Sequence, residues 1–212
     1  MAKHFFSEEL FAKVPIVGII RNYSFDELTG ILPIYIEAGL TTIEITMNTD
    51  GAEDMIRFIN GLYAGKLNIG AGTVCTEHEL HTALDAGAQF IVTPVVNPSI
   101  IKICVDRGIP IFPGAFTPTE VYNAWVLGAA MVKVFPTTLV GPGYIKDLKA
   151  PLNKIKLMPT GGVNLDNITE FKKAGADGYG LGSHLFNKTL IDNKDWAGLK
   201  AHFEMFVNKV KA

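Results

Sequence analysis

Cysteine is scarce in this chain. Only Cys75 and Cys104 occur among 212 residues, too few for a disulfide framework, and neither lies in a C-x-x-C pair. Ordinary thiols in a reducing compartment are expected. Excess positive charge is also missing. Nineteen Lys and Arg stand against 21 Asp and Glu, a formal net charge of -2, so no basic face marks a nucleic-acid binder. The longest apolar runs are about strand length, which excludes a membrane-spanning helix. The opening MAKHFFSEEL has early acidic residues and no apolar stretch followed by a small-residue cleavage site. It does not read as a secretory signal, and a cytoplasmic protein is expected. Histidine is sparse: His4, His78, His81, His184 and His202. His78 and His81 share a helical face beside Glu77 and Glu79 and read as solvated surface, while His184 has no clear ligand partner. No three-residue metal set stands at the strand ends. The reading is therefore a lysine-based chemistry that needs no metal and no cofactor.

What is present is a hydrophobic content of 48% against 19% charged residues, which excludes disorder and suits one α/β domain spanning 1–212. Short β-branched runs alternate with turns and amphipathic helical stretches. The runs are PIVGII (15–20), TTIEIT (41–46), KLNIGAG (66–72), AQFIVT (88–93), IPIFP (109–113), AMVKVF (130–135), KIKLMP (154–159) and DGYGLG (177–182). Helical spacing covers 24–38. Thr49 or Asp50 is expected to cap the next helix, toward Leu62, and Thr76 with Glu79 to form a capping box. Later helices are expected near Pro98, Pro118 and Asn164, with a C-terminal helix at about 196–210. Ala38-Gly39, Ala86-Gly87 and Ala174-Gly175 punctuate helix ends. Leu127-Gly128 is similar, so a weak internal repeat runs along the chain. Eight such units predict a compact (β/α)8 TIM barrel. An open doubly wound sheet is disfavoured, because the first strand ends in GIIR rather than a glycine-rich turn.

In such a barrel the polar residues at strand ends build the reactive face. Arg21 follows strand one. Glu44, Thr46 and Asn48 fall on one side of strand two. Thr73, Pro94 and Gly114 follow strands three, four and five. Lys133 sits inside MVKVFP on strand six, where an unpaired charge would cost several kcal/mol. Either it snorkels to water or its pKa is lowered so that the neutral amine can attack a carbonyl and form a Schiff base. Glu44 opposes that shift and can shuttle protons. It could instead be a structural partner of Arg21. Two interior charges in one barrel favour an enzyme. After strands seven and eight come TGGV (160–163) and GLGS (180–183), glycine turns placed where barrels hold phosphate, with a helix expected near His184-Leu185.

Taken in order, GIIR (18–21), IEIT (43–46), GAGTV (70–74), IVTP (91–94), PGAFTPTE (113–120), VKVFP (132–136), PTGGV (159–163) and GLGS (180–183) form a specific set. Over nearly its whole length the chain resembles the class I aldolases that cleave 2-keto-3-deoxy-6-phosphogluconate, some of which also accept 4-hydroxy-2-oxoglutarate. The resemblance implies a homotrimer of compact barrels, with pyruvate and a phosphorylated 2-keto-3-deoxy sugar acid as its small-molecule partners. It makes Lys133 the Schiff-base lysine and Glu44 the general acid/base. It gives Thr73 the pyruvyl carboxylate, Pro94 and Phe135 the pocket wall, and Thr160 the substrate's C4 hydroxyl. Gly161, Gly162, Gly182 and Ser183 would hold phosphate, with Arg21 nearby. One departure is Asn48, where gluconate-type enzymes carry an arginine on the carboxylate. The aldolase for the galactonate isomer has a similar segment there and resembles 135–150, but carries an apolar residue in place of Thr160. The gluconate substrate is the leading expectation and the galactonate isomer the alternative. A phosphate-binding isomerase or epimerase, which would not need an interior lysine on strand six, and a non-catalytic metabolite sensor, against which the intact Lys133, Glu44 and Thr73 argue, are the rival classes.

Overall fold

The computed structural model describes residues 5–211; His4 lies outside them. All eight strand runs form strands, each shorter than its apolar stretch except the fifth, which continues past its run to Ala115. They are β1 (Ile16–Ile20), β2 (Thr42–Thr46), β3 (Asn68–Gly72) and β4 (Phe90–Val92). Then come β5 in two pieces (Ile111–Phe112 and Gly114–Ala115), β6 (Val132–Val134), β7 (Leu157–Pro159) and β8 (Tyr179–Leu181). Pro113 splits β5 because it has no N–H to give the ladder. Every pairing is parallel. One sheet runs β5–β4–β3–β2–β1–β8, and the second β5 piece continues through β6 to β7. A parallel bridge between Thr160 and Gly180 joins β7 to β8, and the Lys133 N–H donates to Pro113 O at 2.9 Å across the break. The strands thus close into the expected barrel.

Ten helices surround it among the described residues: α1 (Glu8–Lys13), α2 (Phe25–Glu37), α3 (Ala52–Tyr63), α4 (Glu77–Asp85), α5 (Pro98–Asp106), α6 (Pro118–Val126), α7 (Gly141–Lys149), α8 (Ile168–Lys173), α9 (Lys188–Asp192) and α10 (Trp196–Lys211). Capping boxes form at Ser24/Glu27, Thr76/Glu79 and Thr117/Glu120, each satisfying amide donors at a helix start. Three expected starts are corrected. Gly51, in the left-handed region at φ 70°, is the N-cap of α3; the Thr49 hydroxyl is engaged instead with Thr46 and the Asn22 amide. The helix expected at Asn164 begins at Ile168, because Asn164 Oδ1 accepts from the Asp166 and Asn167 amides and holds a turn first. The helix expected near His184-Leu185 begins at Lys188, capped by Asn187. No helix among the described residues is long and apolar enough to cross a membrane.

Strand alternation sorts the side chains into two layers. Ile43, Ile45, Val132 and Val134 face the helices in the larger core. The alternate residues Glu44 and Lys133 therefore point into the barrel. The lower barrel is filled by Val17, Phe90, Val92, Phe112, Met131 and Met158, closed from beneath by Phe6 and Phe11. Gly70 leaves room for the Phe90 ring, which would overlap any Cβ there. Helix α1 and the segment before it act as the plug, fixed by Asn68, whose side chain accepts from the Ser7 amide at 2.7 Å and donates to Ser7 O at 2.9 Å. The interior is thus dry below and polar only toward the strand C-termini.

Candidate active site

Lys133 is 3% exposed and Glu44 1%. Lys133 does not snorkel; its amine lies 4.9 Å from the centroid of the Phe135 ring, a cation–π distance when it is charged. Burial pushes its pKa down; Glu44 opposes that, and Arg21 pushes the same way. Burial pushes Glu44 up, against the pull of Lys133 and Arg21. Neither Glu44 oxygen has a hydrogen-bond partner among the described residues. It is not the structural partner of Arg21. A buried carboxylate left without partners costs kcal/mol-scale energy and is commonly explained by function. Gly72 provides its seat: a Cβ on Gly72 would overlap Glu44 Oε1 and lie 2.7 Å from Cδ.

Arg21 and Thr73 meet above this pair, with Arg21 Nη2 donating to Thr73 Oγ1 at 3.4 Å. Thr73 has φ 55°, a region that a β-branched residue enters only under strain of about 1–3 kcal/mol. Its neighbour across the mouth, Asn22, has φ 58°. Asparagine enters this region readily, so the strain at the rim falls on Thr73; a third non-glycine residue of positive φ, Lys194, lies between α9 and α10. Pro94 is half-buried at the end of β4, and its carbonyl fills the place of a Cβ on Gly114. Thr160 is buried, with its hydroxyl donating to Met158 O at 3.4 Å and filling the Cβ place of Gly180. Gly161 and Gly162 turn at φ 89° and 79° against Thr138. Thr137 holds this turn by donating to Gly161 O at 2.6 Å. Gly182 and Ser183 follow β8 at the same end of the barrel, Ser183 exposed.

Asn48 is exposed on the turn after β2, just beyond the strand alternation that was expected to aim it inward. Gly72 and Thr137 were not singled out by sequence, and Thr49 only as a helix cap. Gly72 shows itself only through its lateral neighbour on β2. Thr137 looks like any residue of a loop. Thr49 joins the β1 and β2 ends through its hydroxyl, 3.1 Å from the Asn22 amide. Among the described residues no three His, Cys, Asp or Glu side chains gather as a metal site would require. The arrangement is an amine with a lowered pKa beside a carboxylate with a raised one, both buried, in a barrel mouth rimmed by an arginine and two glycine turns. It suits carbonyl chemistry on an anionic ligand.

Comparison with known proteins agrees. The family described as "Aldolase: KDPG and KHG aldolase" matches residues 7–202. A 2-dehydro-3-deoxy-6-phosphogalactonate aldolase of Escherichia coli (strain K12) is 37% identical over 82% of this chain and 85% of its own length. A 2-dehydro-3-deoxy-phosphogluconate aldolase of Haemophilus influenzae is 34% identical over 90% of this chain and 91% of its own. The solved "Native KDPGal structure" superposes with a TM-score of 0.87 at 34% identity, covering 94% of this chain and 95% of that one. The family match takes in all eight strands and both interior charges, so the chain belongs to the KDPG and KHG aldolase family, carbon–carbon lyases that work through a lysine Schiff base.

Proposed function

We propose that this aldolase cleaves 2-dehydro-3-deoxy-6-phosphogalactonate to pyruvate and glyceraldehyde 3-phosphate. The observation that carries the reaction is the buried Lys133–Glu44 pair, with neither Glu44 oxygen bonded. Neutral Lys133 attacks the C2 ketone, and the carbinolamine loses water to give an iminium. Glu44, through water, removes the C4 hydroxyl proton. The C3–C4 bond breaks, its electrons pass into the iminium, and the aldehyde leaves. The enamine that remains takes a proton at C3 and is hydrolysed to pyruvate, freeing Lys133. Arg21 and Thr73 hold the pyruvyl carboxylate, giving the positive charge that Asn48 lacks. Pro94 and Phe135 wall the pyruvate carbons. Gly161, Gly162, Gly182 and Ser183 hold the phosphate through backbone and hydroxyl donors.

The galactonate isomer replaces the gluconate form as the leading substrate for two reasons. The relative at 37% identity is described as acting on it. Thr160 also weighs less as a gluconate signal: its hydroxyl packs on Gly180 and donates to Met158 O, so it meets a ligand as an acceptor only. The second reading is the gluconate isomer, favoured by the relative at 34% identity over 90% of the chain. Cleavage of 4-hydroxy-2-oxoglutarate to pyruvate and glyoxylate would use the same lysine. Both phosphorylated isomers, assayed side by side for pyruvate release, test the choice. The expected outcome is a kcat/KM at least about tenfold higher for the galactonate form, a gap of about 1.4 kcal/mol. A preference for the gluconate form would overturn it.

The assembly proposed is a homotrimer. The number three follows from the family resemblance; self-association is supported by an exposed apolar face on neighbouring helices, Tyr122, Val126 and Leu127 at α6 and Val105 on α5, which packs beside Gly128. Contiguous apolar surface of this kind marks an interface.

A further inference from the structure

We infer that Tyr23 is a positioning residue that aims the 182–186 turn at the substrate's phosphate. This rests on the phosphate role proposed above for Gly182 and Ser183. After β8 the chain makes one tight turn, in which the Leu185 and Phe186 amides donate to Gly182 O at 2.9 and 3.0 Å. The Phe186 ring anchors it: 1% exposed, stacked on Tyr35 at 5.9 Å and edge-on to Phe203 at 5.7 Å. Two carbonyls of the turn are held by side chains from distant parts of the chain. Tyr23 Oη donates to Phe186 O at 3.2 Å. His202 Nε2 of α10 lies 2.8 Å from His184 O. Lys188 closes the Tyr23 side, pairing with Glu27 at 3.4 Å and Asp192 at 2.6 Å, its amine 6.0 Å from the Tyr23 ring centroid. Burial pushes the Tyr23 phenol up, against the pull of Lys188, so the hydroxyl stays a donor.

Holding a carbonyl fixes its peptide plane: Gly182 O, held by the Leu185 and Phe186 amides, sets the Ser183 amide, while Tyr23 and His202 fix the Phe186–Asn187 and His184–Leu185 planes and so hold the far end of the same turn. Among the described residues the Ser183 and His184 amides donate to no protein group. Tyr23 stands two residues after Arg21, so one short segment touches both ends of the ligand: Arg21 at the carboxylate, Tyr23 at the turn that receives the phosphate. Without the Tyr23 hydroxyl the turn can pivot on the Phe186 anchor, while Lys133 and Glu44 stay where they are.

The test compares wild type with Tyr23→Phe. Three quantities are measured: KM for the phosphorylated keto acid, KM for the same keto acid without phosphate, and the rate of solvent exchange at C3 of pyruvate. Exchange needs only the Lys133 enamine. Loss of one neutral hydrogen bond to the turn is expected to raise the phosphorylated KM about 3- to 10-fold, with the other two readouts and Tm unchanged. An unchanged phosphorylated KM overturns the inference. So does a matching loss on all three, which would mark Tyr23 as a general structural residue. If wild type itself shows no preference for the phosphorylated acid, the phosphate reading fails and this inference falls with it. His202→Leu, which releases the other carbonyl, is expected to shift the same single readout.

Discussion

A lysine inside MVKVFP is a conflict between charge and burial, and the fold resolves it by lowering the amine's pKa while leaving a carboxylate unbonded beside it. The two groups act oppositely on stability. Glu44 is raised above its unfolded value of about 4.3, so in the window above that value the folded chain keeps a proton that the unfolded chain has lost. That advantage disappears as pH rises through the folded pKa. Lys133 is lowered, so below its unfolded value of about 10.4 the unfolded chain binds the extra proton and stability grows as pH rises through that window. Glu44→Gln removes the carboxyl titration. Relative to wild type, its stability is expected to increase as pH rises from about 4, then level off once the folded carboxyl has ionised. Urea unfolding at several pH values checks this; a pH-independent difference would contradict it. These two residues were legible because charge in an apolar run is a local signal. The strained φ of Thr73 was not, since only tertiary context forces a threonine there.

Elements position these side chains through register. Thr46 pairs with Gly72 across β2 and β3, and the missing Cβ of Gly72 is where the Glu44 carboxylate sits. Gly72→Ala puts a methyl on that carboxylate and must turn it out of place. The expected result is a fall in kcat of about 10²-fold or more, the range for a lost general acid/base, with the far-UV spectrum intact. A variant with near-normal kcat would show that Glu44 is not needed where it sits. Sequence found the elements whose ends carry side-chain caps, such as Thr76 and Thr117. It failed where the chain used something else: Gly51 rather than Thr49 at α3, and a turn built on Asn164 before α8. The short α1 escaped notice although Ser7 caps it, because six residues are too few to show a helical period. Helix α7 escaped because it starts at Gly141-Pro142-Gly143 with no side-chain cap.

For the whole molecule, the eightfold beat of strand, turn and helix made the barrel legible, and the closure across Pro113 and between Thr160 and Gly180 was not needed to see it. Sequence could not weigh Thr160 as an isomer signal, because where its hydroxyl points depends on Gly180 on another strand. Assembly was equally hidden: exposure of Tyr122 and Val126, at 53% and 63%, is a property of the fold. Light scattering is expected to give three times the 23.0 kDa chain mass, and Val126→Glu to lower it; a monomeric wild type would contradict the trimer. The central claim is that Lys133 forms the covalent intermediate. Borohydride reduction in the presence of pyruvate, followed by peptide mass analysis, tests it most directly. The expected result is one reduced pyruvyl adduct per chain, on Lys133, absent from Lys133→Ala. An adduct on another lysine, or none, would contradict the account.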